Sequence, residues 1–107
     1  MILKEEATKI FENTVESRRE EYEANTIDFC DNFLTAKIKE RATAGYREYE
    51  FSIKPISSIV GDNEVYDIRA VPNCTPRISL SKLKDILTKS GYEFTLSSCR
   101  YYITVKW

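Results

Sequence analysis

The sequence predicts an α+β fold: a long N-terminal helix or helical hairpin, an antiparallel sheet of about four strands, and one short helix ahead of a C-terminal β-hairpin. Three observations carry this. Lys4 to Ala44 contains no glycine or proline, and its apolar residues recur with a helical period. After Gly45 the period changes to two, and Gly91 separates a last helical pattern from two alternating runs. With 107 residues the chain can bury one core but not two, so residues 1–107 are expected to form one domain, with a helical arm over 1–44 and a sheet with its short helix over 45–107.

The first helix ends at Gly45, a natural residue for the left-handed position that follows a helix. Its apolar residues fall into two stripes. Ala7, Phe11, Val15, Tyr22, Phe29, Phe33 and Ala36 lie on one side, and Ile27, Cys30, Leu34 and Ile38 lie roughly a third of a turn away. One stripe can pack on the chain's own sheet, and the other calls for a different neighbour. An unbroken helix of this span measures about 60 Å, against a radius of gyration near 13 Å expected for the whole chain. Either it breaks at the weak helix formers Asn25-Thr26 and folds back, or its acid-rich first half projects onto another subunit. A homo-oligomer is therefore expected.

Beyond Gly45, Tyr49, Phe51 and Ile53 alternate with Glu48, Glu50 and Ser52, which makes a strand that Pro55 ends or kinks. Gly61-Asp62-Asn63 signals a turn, and Val65–Val71 alternates again, with Tyr66, Ile68 and Ala70 in phase. Pro72 and Pro76 bracket a loop. Ser79 or Ser81 can cap a short helix carrying Leu83, Ile86 and Leu87, which ends at Gly91 with Tyr92 closing over Leu87. The closing hairpin pairs Tyr92, Phe94 and Leu96 with Tyr101, Ile103, Val105 and Trp107 across a Ser97-Ser98-Cys99 turn.

Composition narrows the chemistry. Hydrophobic residues at 42% and charged residues at 31% describe a folded rather than a disordered chain. The net charge of −1 conceals an uneven spread: 8 basic and 12 acidic residues through Glu50, then 8 basic and 5 acidic from Phe51. That balance argues against a dedicated nucleic-acid binder and leaves room for a basic face that holds a small anion. The opening Met1-Ile2-Leu3-Lys4-Glu5 has no secretory pattern and the apolar runs are short, so no membrane association and a cytoplasmic location are expected. Cys30, Cys74 and Cys99 are too few and too scattered for a disulfide framework.

The chain has no histidine, which removes the commonest general base and most zinc sites. Gly45, Gly61 and Gly91 match no phosphate loop. Glu48 and Glu50 share a strand face but read as ordinary outward polar residues. No catalytic residue, metal or cofactor is expected. Tyr49, Phe51, Phe94, Tyr101 and Trp107 follow the apolar phase of their strands and are expected in the core. Tyr102 instead shares a face with Arg100, Thr104 and Lys106, where an arginine fork, a stackable ring and a second cation point the same way. Arg100, Tyr102 and Lys106, with Arg69 or Arg77 from the same basic half, are the candidate ligand-binding residues.

Several local patterns occur together: Ile38-x-x-x-Ala42-x-x-Gly45-Tyr46 leading into a strand, Leu83-x-x-Ile86-Leu87-x-x-x-Gly91-Tyr92-x-Phe94, and a closing Tyr101-Tyr102-Ile103-x-x-x-Trp107. With the charged N-terminal helix, they make the chain resemble small early-region proteins of phages and prophages of Gram-positive bacteria. The resemblance implies a non-enzymatic protein in the host cell cytoplasm that binds stoichiometrically, as an inhibitor or antagonist of a host defence protein. A second expectation is an oligomeric sponge for a nucleotide-like signalling molecule, and a third is a small enzyme.

Overall fold

The computed structural model describes residues 1–56 and 65–107. The Gly61-Asp62-Asn63 turn signal lies outside the described residues. The fold is α+β. A long helix runs from Lys4 to Thr43 as α1 (Lys4–Asp28), a π-helical segment (Phe29–Leu34) and α2 (Thr35–Thr43). There follow β1 (Glu48–Ile56), β2 (Val65–Ile68), β3 (Arg77–Ser79), α3 (Leu80–Lys89), β4 (Glu93–Leu96) and β5 (Tyr102–Lys106). The strands form one antiparallel sheet in the order β3-β2-β1-β5-β4.

The helix does not break at Asn25-Thr26. Instead these residues fasten it to the outer edge of β3. Thr26 is fully buried, and its hydroxyl donates to the Tyr22 carbonyl at 2.7 Å while accepting the Ser79 N–H at 3.0 Å. The Asn25 amide donates to the Arg77 carbonyl at 3.1 Å. Main-chain groups that an edge strand would leave open are thus satisfied by two side chains, the short polar types that sequence propensity reads as helix-weakening.

The π-helical segment resolves the two stripes. A π turn takes up one extra residue, and one residue is 100° of α-helix, close to the offset between the stripes. Leading into it, Tyr22, Thr26 and its first residue, Phe29, are buried; within it Cys30 and Leu34 are buried, and beyond it Ile38 packs against the core. Of the stripe members on the wrong side of the turn, Ile27 and Ala36 are exposed and Phe33 is only half-buried at the edge of the core. One apolar face therefore serves the whole length from Tyr22, and the second stripe needs no foreign neighbour, contrary to the sequence expectation. The Cys30 carbonyl at the turn accepts both the main-chain N–H and the hydroxyl of Thr35, the latter at 2.7 Å.

Both long-range helix endings use the same device. Gly45 and Gly91 have φ of 90° and 88°. The N–H of the following tyrosine returns to the helix, Tyr46 to the Arg41 carbonyl at 3.0 Å and Tyr92 to the Leu87 carbonyl at 2.9 Å. Ser79, rather than Ser81, caps α3, accepting the Lys82 N–H at 3.4 Å. Leu34 and Phe29 from the helix, Leu83 and Leu87 from α3, and Phe51, Ile53, Ile68, Ile78, Ile103 and Val105 from the sheet make one core on the inner face.

Three sequence expectations change. β3 was not foreseen, because three residues between Pro76 and a helix cap are too short for alternation to register. Pro55 does not end β1: it lies opposite Tyr66, two residues after Ile53, whose N–H points to Tyr101 on the β5 side. The β1–β5 ladder stops at Ser52–Tyr102, so the nitrogen of Pro55 faces a place where no donor is needed. The last hairpin has a longer connection, 97–101, because Arg100 adopts a left-handed φ of 63° and its N–H closes a turn to the Ser97 carbonyl at 2.9 Å. Arg100 and Tyr101 consequently leave the strand, and Tyr101 is 51% exposed rather than in the core.

Before Tyr22 the helix contributes little to the core: among the described residues only Val15 packs against it, beside Tyr22 and Val65. Residues 1–21 are exposed apart from half-buried Val15, and the molecule measures 62 × 29 × 26 Å.

Candidate functional site

Two surfaces stand out, the projecting half of α1 and the outer face of the sheet. On the arm, Leu3, Ile10 and Phe11 are exposed, the last two at 59% and 62%. With Ala7 they follow three- and four-residue spacing and so share a side of the helix. Lys4 and Glu6 flank this stripe, and Glu5, Glu12 and Glu16 lie on the opposite side of the helix.

The outer sheet face carries the polar half of each strand's alternation. Register places its side chains in rows: Glu93, Lys106 and Glu48; Thr95, Thr104 and Glu50; Tyr102 and Ser52; Lys54, Asp67 and Arg77. Arg69 directly follows β2, and its main-chain N–H donates to the Ser52 carbonyl at 3.0 Å, which extends the third row. Four of the five candidate residues, Arg69, Arg77, Tyr102 and Lys106, thus occur on this face, while Arg100 belongs to the turn at its rim.

They do not form one site. Lys106 pairs with Glu48 at 3.9 Å and lines a shallow depression with Trp107 and Gly91. Arg77 pairs with Asp67 at 3.2 Å; a hydrogen bond with Tyr22 and the nearby Asp67 carboxylate raise its pKa above the ordinary value. It faces a cleft of about 660 Å³ between the helix and the 71–77 connection, where the Phe29 and Phe33 rings stack at 5.5 Å. Arg69 and Tyr102 do share a site, lining the two ends of a depression of about 430 Å³ that also takes in Ser52, Lys54, Cys99 and Tyr101.

Lys54 and Tyr101 were missed in the sequence. Strand alternation puts Lys54 on the face of Ser52, but only the strand order brings it near Tyr102. Tyr101 is found only once the left-handed turn at Arg100 is known.

No protein-family model, curated protein or solved structure matches this chain. The reading of its function therefore rests on these two surfaces. Among the described residues, no helix is long and apolar enough to cross a membrane.

The cysteines differ by environment. Burial, with the Asp31 charge adding to it, pushes the Cys30 thiol up to about 11. The exposed Cys99 thiol is lowered by its hydrogen bond with Ser97, whose hydroxyl lies 3.3 Å from the sulfur.

Proposed function

We propose that this chain is a non-enzymatic binding protein that holds a partner protein through the projecting half of its helix, in the manner of an inhibitor or adaptor. The observation that carries this reading is the set Leu3, Ala7, Ile10 and Phe11, which lies on a stretch, residues 1–14, that is exposed throughout. An amphipathic helix with anchors at such spacing suits an apolar groove, and the acid-rich sequence of the arm as a whole favours a partner of net positive charge. Leaving large apolar side chains in water forgoes about 1.5–3 kcal/mol each relative to burial, a gain available to a complex. A host defence protein is the partner class that the phage resemblance implies.

The test places a photo-crosslinking amino acid at position 10 of the full chain, irradiates cells that contain it, and identifies the adduct by mass spectrometry. One dominant adduct with another protein is expected, and Phe11→Glu should abolish that complex when both proteins are purified. Adducts between copies of this chain alone would replace the reading with self-assembly.

A further inference from the structure

Beyond the arm, we propose that the depression between Arg69 and Tyr102 on the outer sheet face binds a small phosphorylated compound carrying a planar ring, of the mononucleotide class. Three adjacent strands build it. Tyr102 on β5, Ser52 on β1 and Arg69 after β2 stand in one cross-strand row, so the tyrosine and the arginine are separated by two strand spacings, about 10 Å. Lys54, two residues beyond Ser52, adds a second cation, and Tyr101 and Cys99 of the 97–101 turn raise the wall beside Tyr102. Its roughly 430 Å³ falls in the range of small-ligand sites.

Charge on this face is sorted in a way that ordinary solvated strands do not require. Glu48 pairs with Lys106, and Glu50 accepts the Thr104 hydroxyl at 3.3 Å. Asp67 lies opposite Lys54 in register, yet its carboxylate turns to Arg77. Among the described residues the depression is thus lined by two cations and no carboxylate, and neither Lys54 nor Arg69 forms an ion pair with another of them. A guanidinium fork, an ammonium and the Ser52 hydroxyl suit phosphate oxygens, while the Tyr102 ring, 45% exposed, offers a stacking surface at the other end.

The Arg69 main chain makes the bond to Ser52, so alanine there removes the guanidinium without removing the strand contact. Calorimetry on the full chain would use adenosine monophosphate, pyrophosphate and adenosine as probes. The monophosphate should bind best, pyrophosphate measurably, and adenosine least. Arg69→Ala should weaken both phosphate probes by roughly tenfold or more, and Tyr102→Ala should weaken only the monophosphate, with thermal unfolding unchanged in both variants. No heat from either phosphate probe at about 1 mM, or equal affinity in Arg69→Ala and Lys54→Ala, would overturn the proposal. So would pyrophosphate matching the monophosphate in wild type and in Tyr102→Ala. The arm is untouched in these variants, so the proposed function stands or falls separately.

Discussion

The two halves of the Lys4–Thr43 helix are continuous in backbone and differ in what they touch. From Tyr22 onward the helix crosses the β3 edge, spends a residue on a π turn and lays Phe29, Cys30, Leu34 and Ile38 on the sheet. From Lys4 to Glu21 only Val15 is even half-buried, yet this stretch carries the large apolar side chains of Ile10 and Phe11. Burial, not propensity, separates them: helix formers of similar quality fill both halves, but only the second has an apolar face matched to a surface. The first half leaves its large apolar side chains exposed, as the proposed partner-binding role requires.

The largest way to break this contrast is to delete Asp31, an exposed residue of the π segment. The helix would heal to regular α geometry and turn its upstream part by 100° relative to α2. Tyr22 with Thr26, or Leu34 with Ile38, must then leave their places. Thermal denaturation should show a loss of stability greater than any single substitution produces, and an unchanged melting temperature would mean that the π turn carries no register.

Point substitutions sharpen the same contrast. Leu34→Ala in the buried half should cost about 2–5 kcal/mol in chemical denaturation, whereas Ile10→Ala on the arm should stay within about 0.5 kcal/mol. Thr26→Val keeps shape but strands the Ser79 N–H beside a buried strand edge, with an expected cost of about 1–3 kcal/mol.

Much of the architecture was legible in residues whose signal is local. Gly45 and Gly91 mark helix ends because the left-handed position excludes most side chains, and both are followed by a tyrosine that returns its N–H. Ile103, Val105, Phe51 and Ile53 announce their strands by alternation. The remainder was hidden for stated reasons. Asn25 and Thr26 look like a break because propensity is silent about an edge strand fifty residues away. The stripe offset looked like two surfaces because regular α geometry was assumed, and a π turn converts the same offset into one. The candidate site was partly legible: Arg69 and Tyr102 were named, but Lys54 joins them only through strand order, and Arg100 was assigned to a strand that its own backbone interrupts.

Smaller effects probe the cysteines and that turn. Cys99 and Cys74 should alkylate in the folded protein, Cys99 the faster, while Cys30 should react only on unfolding. Because the folded Cys30 pKa of about 11 lies above its ordinary 9.0, its contribution to stability is complete below about pH 9 and declines as pH rises towards 11. Cys30→Ala should remove that component from an alkaline denaturation series. Arg100→Gly relieves a left-handed side chain and should raise stability by up to about 1 kcal/mol.

The central claim, that one half of the helix serves the fold and the other is left for a partner, is tested most directly by amide hydrogen exchange on the full chain at low concentration. The account predicts slow exchange, approaching the global unfolding limit, for the amides of Phe29 to Ile38, and fast exchange governed by local fraying for those of Ala7 to Arg18. Equal protection along the whole helix would contradict it, since the arm would then be held by its own chain and would not be free to serve a partner.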